Sequence, residues 1–210
     1  MPVSLLMNFL TYTGVVAAAV SGVIAACRKD MDIVGACAVA FITALGGGTL
    51  RDLLLGQKPV FWVVDQSFAI VTFIVAVVTF YSSRFQTFSA RSILVPDALG
   101  LGMFSVLGAS YGLQAHTSLF VASLMGVVTG VFGGVLRDII CNEIPYVFAR
   151  SAQLYATCSF AGAWVYILLV RGFGIAQTIA SLFAILVVFL MRILAVKYNL
   201  RLPDPKPNRA

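Results

Sequence analysis

Two charged pairs, Arg51-Asp52 and Arg137-Asp138, stand inside apolar stretches, and each begins three residues after a glycine cluster. The segments are Thr43-Ala-Leu-Gly-Gly-Gly-Thr-Leu-Arg-Asp52 and Thr129-Gly-Val-Phe-Gly-Gly-Val-Leu-Arg-Asp138. A charge placed at mid-bilayer costs about 2.5–3.5 kcal/mol on insertion scales. An apolar residue returns only about 0.3–0.6 kcal/mol. Such pairs must therefore be interfacial, paired or facing water. A simple boundary marker is the plain alternative. Against it, Leu53-Leu-Leu and Ile139-Ile-Cys continue each run, so the charges lie within a helix rather than at its end. Neighbouring helical residues point about 100° apart, so an Arg and its Asp are not expected to share a partner. One would face a pathway and the other a neighbouring helix; which does which stays open. Asp52 and Asp138 would concentrate cations at two mouths, a common device in cation pores. Arg51 and Arg137 oppose that unless they are paired away from it.

The glycines point the same way. Gly46, Gly47 and Gly48, and again Gly133 and Gly134, interrupt two helices, where each glycine costs about 0.8–1 kcal/mol relative to alanine. Bent or unwound backbone is tolerated in a membrane only when buried in protein or lining a wet cavity. Close helix packing is the other use of small residues. Matched clusters beside matched charges favour the pathway. Thr43 and Thr129 precede the glycines by about a turn. Their hydroxyls either line a pore or bond back to their own helix, the commoner use.

These elements repeat. An offset of 86 carries one segment onto the other and superposes Gly14 on Gly100, Gly22 on Gly108 and Pro59 on Pro145. Long-period self-similarity dictates architecture, and in membranes it builds a central site between related halves.

The setting is hydrocarbon. Of 210 residues 60% are hydrophobic and only 10% charged, with mean hydropathy +1.00, whereas a soluble domain carries about 25% charged residues. Uncharged stretches run Pro2–Cys27, Ile33–Leu50, Gln66–Ser83, Ser151–Val170 and Gly172–Met191. A further one, Ala98–Leu136, would span about 58 Å as a single helix, so it must be two, broken within Tyr111–Thr117. The total is seven spans. The first lacks a charged start and is too long for a signal core. The expected fold is an all-α membrane protein with seven transmembrane helices in one domain over residues 1–201. Repeat one covers about 5–84, repeat two about 92–170 and helix seven about 172–197, with a disordered cytoplasmic tail at 202–210. Three crossings per repeat turn the second copy over, giving two inverted three-helix repeats.

Arg28, Lys29, Arg84, Arg91, Arg137, Arg150, Arg192, Lys197, Arg201, Lys206 and Arg209 fall on one side, and Arg51, Lys58 and Arg171 on the other. Basic loops stay in the cytoplasm, which puts the C-terminus inside and the N-terminus outside an inner (plasma) membrane. The same asymmetry accounts for the net charge of +6 without nucleic acid as a partner. Cys27, Cys37, Cys141 and Cys158 have no metal-ligand spacing and no disulfide is expected. Asp97 is read as a cap at the start of the fourth span. His116 receives no role. Trp62, Trp164, Tyr146 and Tyr155 fit interfacial anchors.

With these residues in view, the chain resembles the prokaryotic branch of the trimeric intracellular cation (TRIC) channel family, over about residues 5–200. The carriers are the doubled Gly-Gly-x-x-Arg-Asp segments, followed by Pro59-Val-Phe-Trp and Pro145-Tyr-Val-Phe. The resemblance implies a homotrimer with a pore inside each subunit, formed by the second and fifth helices bent at their glycines. It further implies potassium or sodium as permeant ion, no cofactor, and membrane lipids as partners, with bound lipid compatible. Phe132 replaces the first glycine of the second triplet, so the bend of the fifth helix is less defined. Related bacterial sequences carry a glycine-transporter label, which supplies the alternative. A secondary carrier of a small zwitterion would seat a carboxylate on a half-helix N-terminus and an ammonium on Asp52 or Asp138. An enzyme is not expected, since no nucleophile–base set, metal cluster or phosphate-binding loop is present.

Overall fold

Apolar runs about twenty residues long have one local way to satisfy their backbone in hydrocarbon, and each of them is helical. The computed structural model describes residues 3–82, 90–149 and 153–201. Helix α1 is Val3–Cys27, α2 Ile33–Leu54, α3 a single turn at Phe61–Val64, α4 Ser67–Ser82, α5 Leu94–Gln114, α6 Leu119–Ile140, α7 Ala156–Ile167 and α8 Gln177–Lys197. Five of these, α1, α2, α5, α6 and α8, are long and apolar enough to cross a membrane. Helix α4 and the helical stretch Ala156–Gly172 are apolar but shorter. The uncharged stretch Ala98–Leu136 is two helices, α5 and α6, as its length requires. The tail at 202–210, Arg84 and Arg150 lie outside the described residues.

The 86-residue offset is written into the hydrogen bonds. Asp32 caps α2 by accepting from the Gly35 amide, and its counterpart Ser118 caps α6 by accepting from Val121. After α1 the Met31 amide donates to the Ala26 carbonyl, and after α5 Thr117 donates to Gly112. After α2 Gln57 donates to Asp52, and after α6 Glu143 donates to Asp138. The left-handed residues match too: Asp30 with His116, and Gly56 with Asn142. Packing follows the same rule. A side chain on Gly14 would meet Phe104, and one on Gly100 would meet Ala18, which is the equivalent of Phe104. Within the halves, Gly22 abuts Ala40 and Thr43, while Gly108 abuts Met125 and Thr129. These four glycines hold helices of one chain together, so they are not a free face for neighbouring subunits.

The two halves are also tied by charge. Lys29 after α1 pairs with Glu143 after α6 at 2.8 Å, both about two-fifths exposed. The hydrogen bond from Lys29, helped by its charge and by Arg28 and Arg137, holds the Glu143 carboxyl below its ordinary value. A carboxylate depressed by folding stabilises above its unfolded pKa, and that stability is lost as pH falls through the folded value. Glu143→Gln is therefore expected to cost no more than about 1 kcal/mol at neutral pH. Thermal unfolding in detergent should show the difference shrink as pH falls through the carboxylate range.

Candidate functional site

Helices α2 and α6 are continuous through Gly46–Gly48 and Gly133–Gly134. The unwound backbone expected there is absent. The glycines instead let the two helices cross backbone to backbone. A methyl group on Gly47 would land on the Thr129 carbonyl oxygen, and one on Gly133 would land on the Thr43 carbonyl oxygen. Because residue 133 is the equivalent of 47 and 129 of 43, the contact is reciprocal. Close packing offsets the propensity cost of glycine, which is why the helices stay intact. The outer members serve side chains. A methyl on Gly46 would meet Leu136 at 2.7 Å, one on Gly48 the Phe61 ring at 2.6 Å, and one on Gly134 the Tyr155 hydroxyl at 3.2 Å. Thr43 and Thr129 are buried, and each hydroxyl donates to its own helix, to Val39 at 2.6 Å and Met125 at 2.7 Å. What they present to the opposing helix is the carbonyl.

The Arg-Asp pairs lie beyond the crossing, one on each helix, and they are buried: Arg51 is 4% exposed, Asp52 1%, Arg137 6% and Asp138 8%. Each Arg also bonds its own neighbour, a pairing that the angular argument leaves out. The arginine side chain is long enough to curl around the helix surface. Arg51 donates through Nε at 2.8 Å and Nη2 at 2.6 Å to Asp52 Oδ1. Arg137 Nε donates to Asp138 Oδ1 at 2.9 Å. The second carboxylate oxygen then accepts a backbone amide after the helix, Phe61 for Asp52 and Tyr146 for Asp138, both at 2.8 Å. Each aspartate thus fastens the segment following its helix to its arginine.

Beyond this shared motif the ends differ. Arg51 lies 3.9 Å from the centre of the Tyr111 ring and 5.6 Å from that of Phe61, a cation–π arrangement that is stronger when desolvated. Arg137 Nη1 instead donates to Asp97 at 2.8 Å and Ser21 at 2.7 Å. Asp97, expected as a cap, makes an ion pair with Arg137; α5 starts earlier, at Leu94, with no side-chain cap. Tyr155, expected at the interface, is buried. With Tyr146 it flanks Arg192, whose guanidinium carbon is 4.8 Å from each ring centre. Arg192 was legible only as a lone cation ending an apolar stretch. Because α8 continues to Lys197, that cation is carried inside, to 4% exposure.

A cavity of about 420 Å³ opens beside the second pair, and its charged lining is Arg28, Asp97, Arg137, Asp138, Glu143 and Arg192. Three carboxylates face three cations, so the lining is neutral overall. Such a lining attracts ions of either sign weakly and offers charged partners to both. Cys37, Cys141 and Cys158 carry free thiols. Among the described residues no three His, Cys, Asp or Glu side chains gather as metal ligands.

A family model described as "Glycine transporter" matches the chain twice, at residues 8–84 and 94–171. The starts differ by 94 − 8 = 86, the offset of the repeat. The chain is 34% identical over 200 residues to the UPF0126 inner membrane protein YadS of Escherichia coli K12, covering 95% of this chain and 96% of that one. It is similar in fold to a TRIC trimeric intracellular cation channel orthologue from Rhodobacter sphaeroides, with TM-score 0.86, 35% identity and coverage of 92% and 98%. A prokaryotic TRIC channel crystallised in 0.5 M KCl gives TM-score 0.87 at 28% identity, covering 95% and 100%. These relatives are membrane proteins and channels, not enzymes. A doubled glycine crossing, two buried Arg-Asp pairs and likeness along nearly the whole chain converge on one assignment: this multi-pass membrane protein belongs to the prokaryotic branch of the TRIC channel family.

Proposed function

We propose that this protein is a monovalent cation channel of the inner membrane that passes potassium, with a pathway in each protomer between α2 and α6. One observation carries the reading. The only backbone-to-backbone approach of α2 and α6 among the matched glycines lies between two buried Arg-Asp pairs. In this state the crossing is shut, and separating the helices there joins the two polar ends. Helix α4 and Ala156–Gly172 complete seven spans. At 16 and 17 residues they reach about 24–26 Å, a mismatch that local thinning accommodates. With three spans per repeat the halves are inverted, which the reciprocal contacts support. The basic residues place the N-terminus outside and the C-terminus inside.

The assembly is a homotrimer, as the relative from Rhodobacter sphaeroides is described. Exposed apolar faces such as Ile70, Phe73, Ile74 and Val77 on α4 meet lipid or the neighbouring subunits. Selectivity is weak, because the lining of the cavity is neutral and no carbonyl filter is present among the described residues. Planar-bilayer recording in asymmetric potassium chloride tests this. Unitary currents reversing toward the potassium equilibrium potential are expected; reversal at the chloride potential contradicts cation selectivity. The description of the family model favours a second reading, a carrier of a small zwitterion. Saturable glycine counterflow in proteoliposomes without unitary currents would establish that reading instead.

A further inference from the structure

The chain beyond α8 returns to the second Arg-Asp pair. After Lys197 the helix ends, and Asn199 takes the left-handed conformation, with φ 53°, which asparagine adopts more readily than most residues. The turn lays Arg201 against Gln153 as an antiparallel bridge. The Leu154 amide donates to the Leu200 carbonyl at 3.1 Å. Asn199 Oδ1 accepts from Gln153 Nε2 at 2.9 Å and from Arg201 Nε at 3.0 Å.

From there the contacts run toward α6. The Tyr146 hydroxyl accepts from the Gln153 amide at 3.0 Å and donates to Gln153 Oε1. Tyr146 is also the residue whose amide Asp138 holds. Arg192 of α8 donates to the Leu154 carbonyl at 3.4 Å while its guanidinium lies against Tyr146 and Tyr155. Tyr146 and Gln153 are therefore held from one side by α6 and from the other by the end of α8.

The fold does not demand this arrangement. Repeat one has Val60, Ser67 and Ala69 where repeat two has Tyr146, Gln153 and Tyr155. Its segment after α2 is tied to α1 instead, through Tyr12 bonding Asp65 and Ser67. Helix α8 lies beyond both matched stretches, the second of which ends at residue 171. Asn199 and Arg201 are exposed, and hydrogen bonds that compete with water contribute little net stability. Such a contact is made and broken readily.

We propose that residues 199–201 form an autoinhibitory latch. By holding Tyr146 and Gln153 they keep α6 where it meets α2, and their release lets α6 part from α2. The latch rests on the channel reading above, because the shut crossing is what it secures.

The test compares Asn199→Gly, which keeps the left-handed turn and removes the side chain, with Gln153→Ala and the double variant, all in the full-length protein. Each single variant is expected to raise open probability about threefold or more. The double variant should add little to Gln153→Ala, as for two ends of one contact. Lys197→Ala, on the same exposed end of α8, should match the parent protein. Amide hydrogen exchange of the purified protein reads the latch without currents: peptides covering 143–149 should exchange faster in Asn199→Gly. Open probability unchanged or lowered in both single variants overturns the latch, and so does exchange unchanged over 143–149. Currents absent from the parent and from every variant contradict the channel reading instead, and the exchange result then decides whether the end of α8 holds this segment.

Discussion

Gly133→Ala is expected to raise open probability about tenfold or more, and Gly47→Ala to do the same. In each case the added methyl is driven into a backbone carbonyl of the opposing helix, Thr43 for residue 133 and Thr129 for residue 47. A carbonyl in a helix cannot swing aside as a flexible side chain can. Overpacking of this kind costs about 1–3 kcal/mol. The cost falls on the state in which α2 and α6 touch, which is the shut state of the proposed pathway. A penalty of 1.4 kcal/mol on one state shifts a two-state balance about tenfold. Gly134→Ala is the internal control, since its methyl would approach only side-chain atoms, the Tyr155 hydroxyl at 3.2 Å and Arg137 Nη2 at 3.5 Å, and its open probability should change little. Single-channel recording gives the answer, with size-exclusion chromatography checking assembly. Unchanged or reduced open probability in both crossing variants would speak against a shut crossing.

The second large effect is on stability. Arg137→Met strands Asp97 and Asp138, both mostly buried and both bonded to that one guanidinium. Removing one partner of a buried pair costs about 3–5 kcal/mol, because it leaves an uncompensated charge. Arg51→Met strands one carboxylate, Asp52, rather than two, so its loss should be smaller; Asp52 and Asp138 alike keep a backbone amide donor, from Phe61 and Tyr146. Neutralising both acids as well, with Asp97→Asn and Asp138→Asn in the Arg137→Met background, should recover most of the loss. Thermal unfolding of the three variants in one detergent measures the order. An Arg137→Met protein as stable as Arg51→Met would remove the asymmetry claimed for the two ends.

That asymmetry marks the limit of what the residues alone disclose. The spans were legible because apolar length in hydrocarbon leaves only helices, and the loop between α5 and α6 falls where Tyr111–Thr117 break the run. The repeat was legible because Gly14 and Gly100, Gly22 and Gly108, and Pro59 and Pro145 share the offset of the two Arg-Asp segments. Partnerships across the fold were not. The Arg137–Asp97 bond joins residues forty positions apart, and nothing local distinguishes that carboxylate from a helix cap. The neighbour pairing of Arg51 and Asp52 escaped an argument based on Cβ directions, since arginine reaches well past its own Cβ. The glycines were read for weakness of the helix. Their use depends instead on what stands opposite, and opposite Gly47 and Gly133 stand the backbones of Thr129 and Thr43.

The central claim, that ions pass between α2 and α6, is tested most directly by tying those helices together. A methyl on Gly46 would lie 2.7 Å from the Leu136 side chain, so Gly46→Cys with Leu136→Cys places two thiols across the crossing. The background is a chain with Cys27, Cys37, Cys141 and Cys158 replaced by alanine. Oxidation of the reconstituted protein, with cross-linking verified by mass spectrometry, is expected to abolish unitary currents, and reductant to restore them. Full currents through a completely cross-linked protein would place the pathway elsewhere.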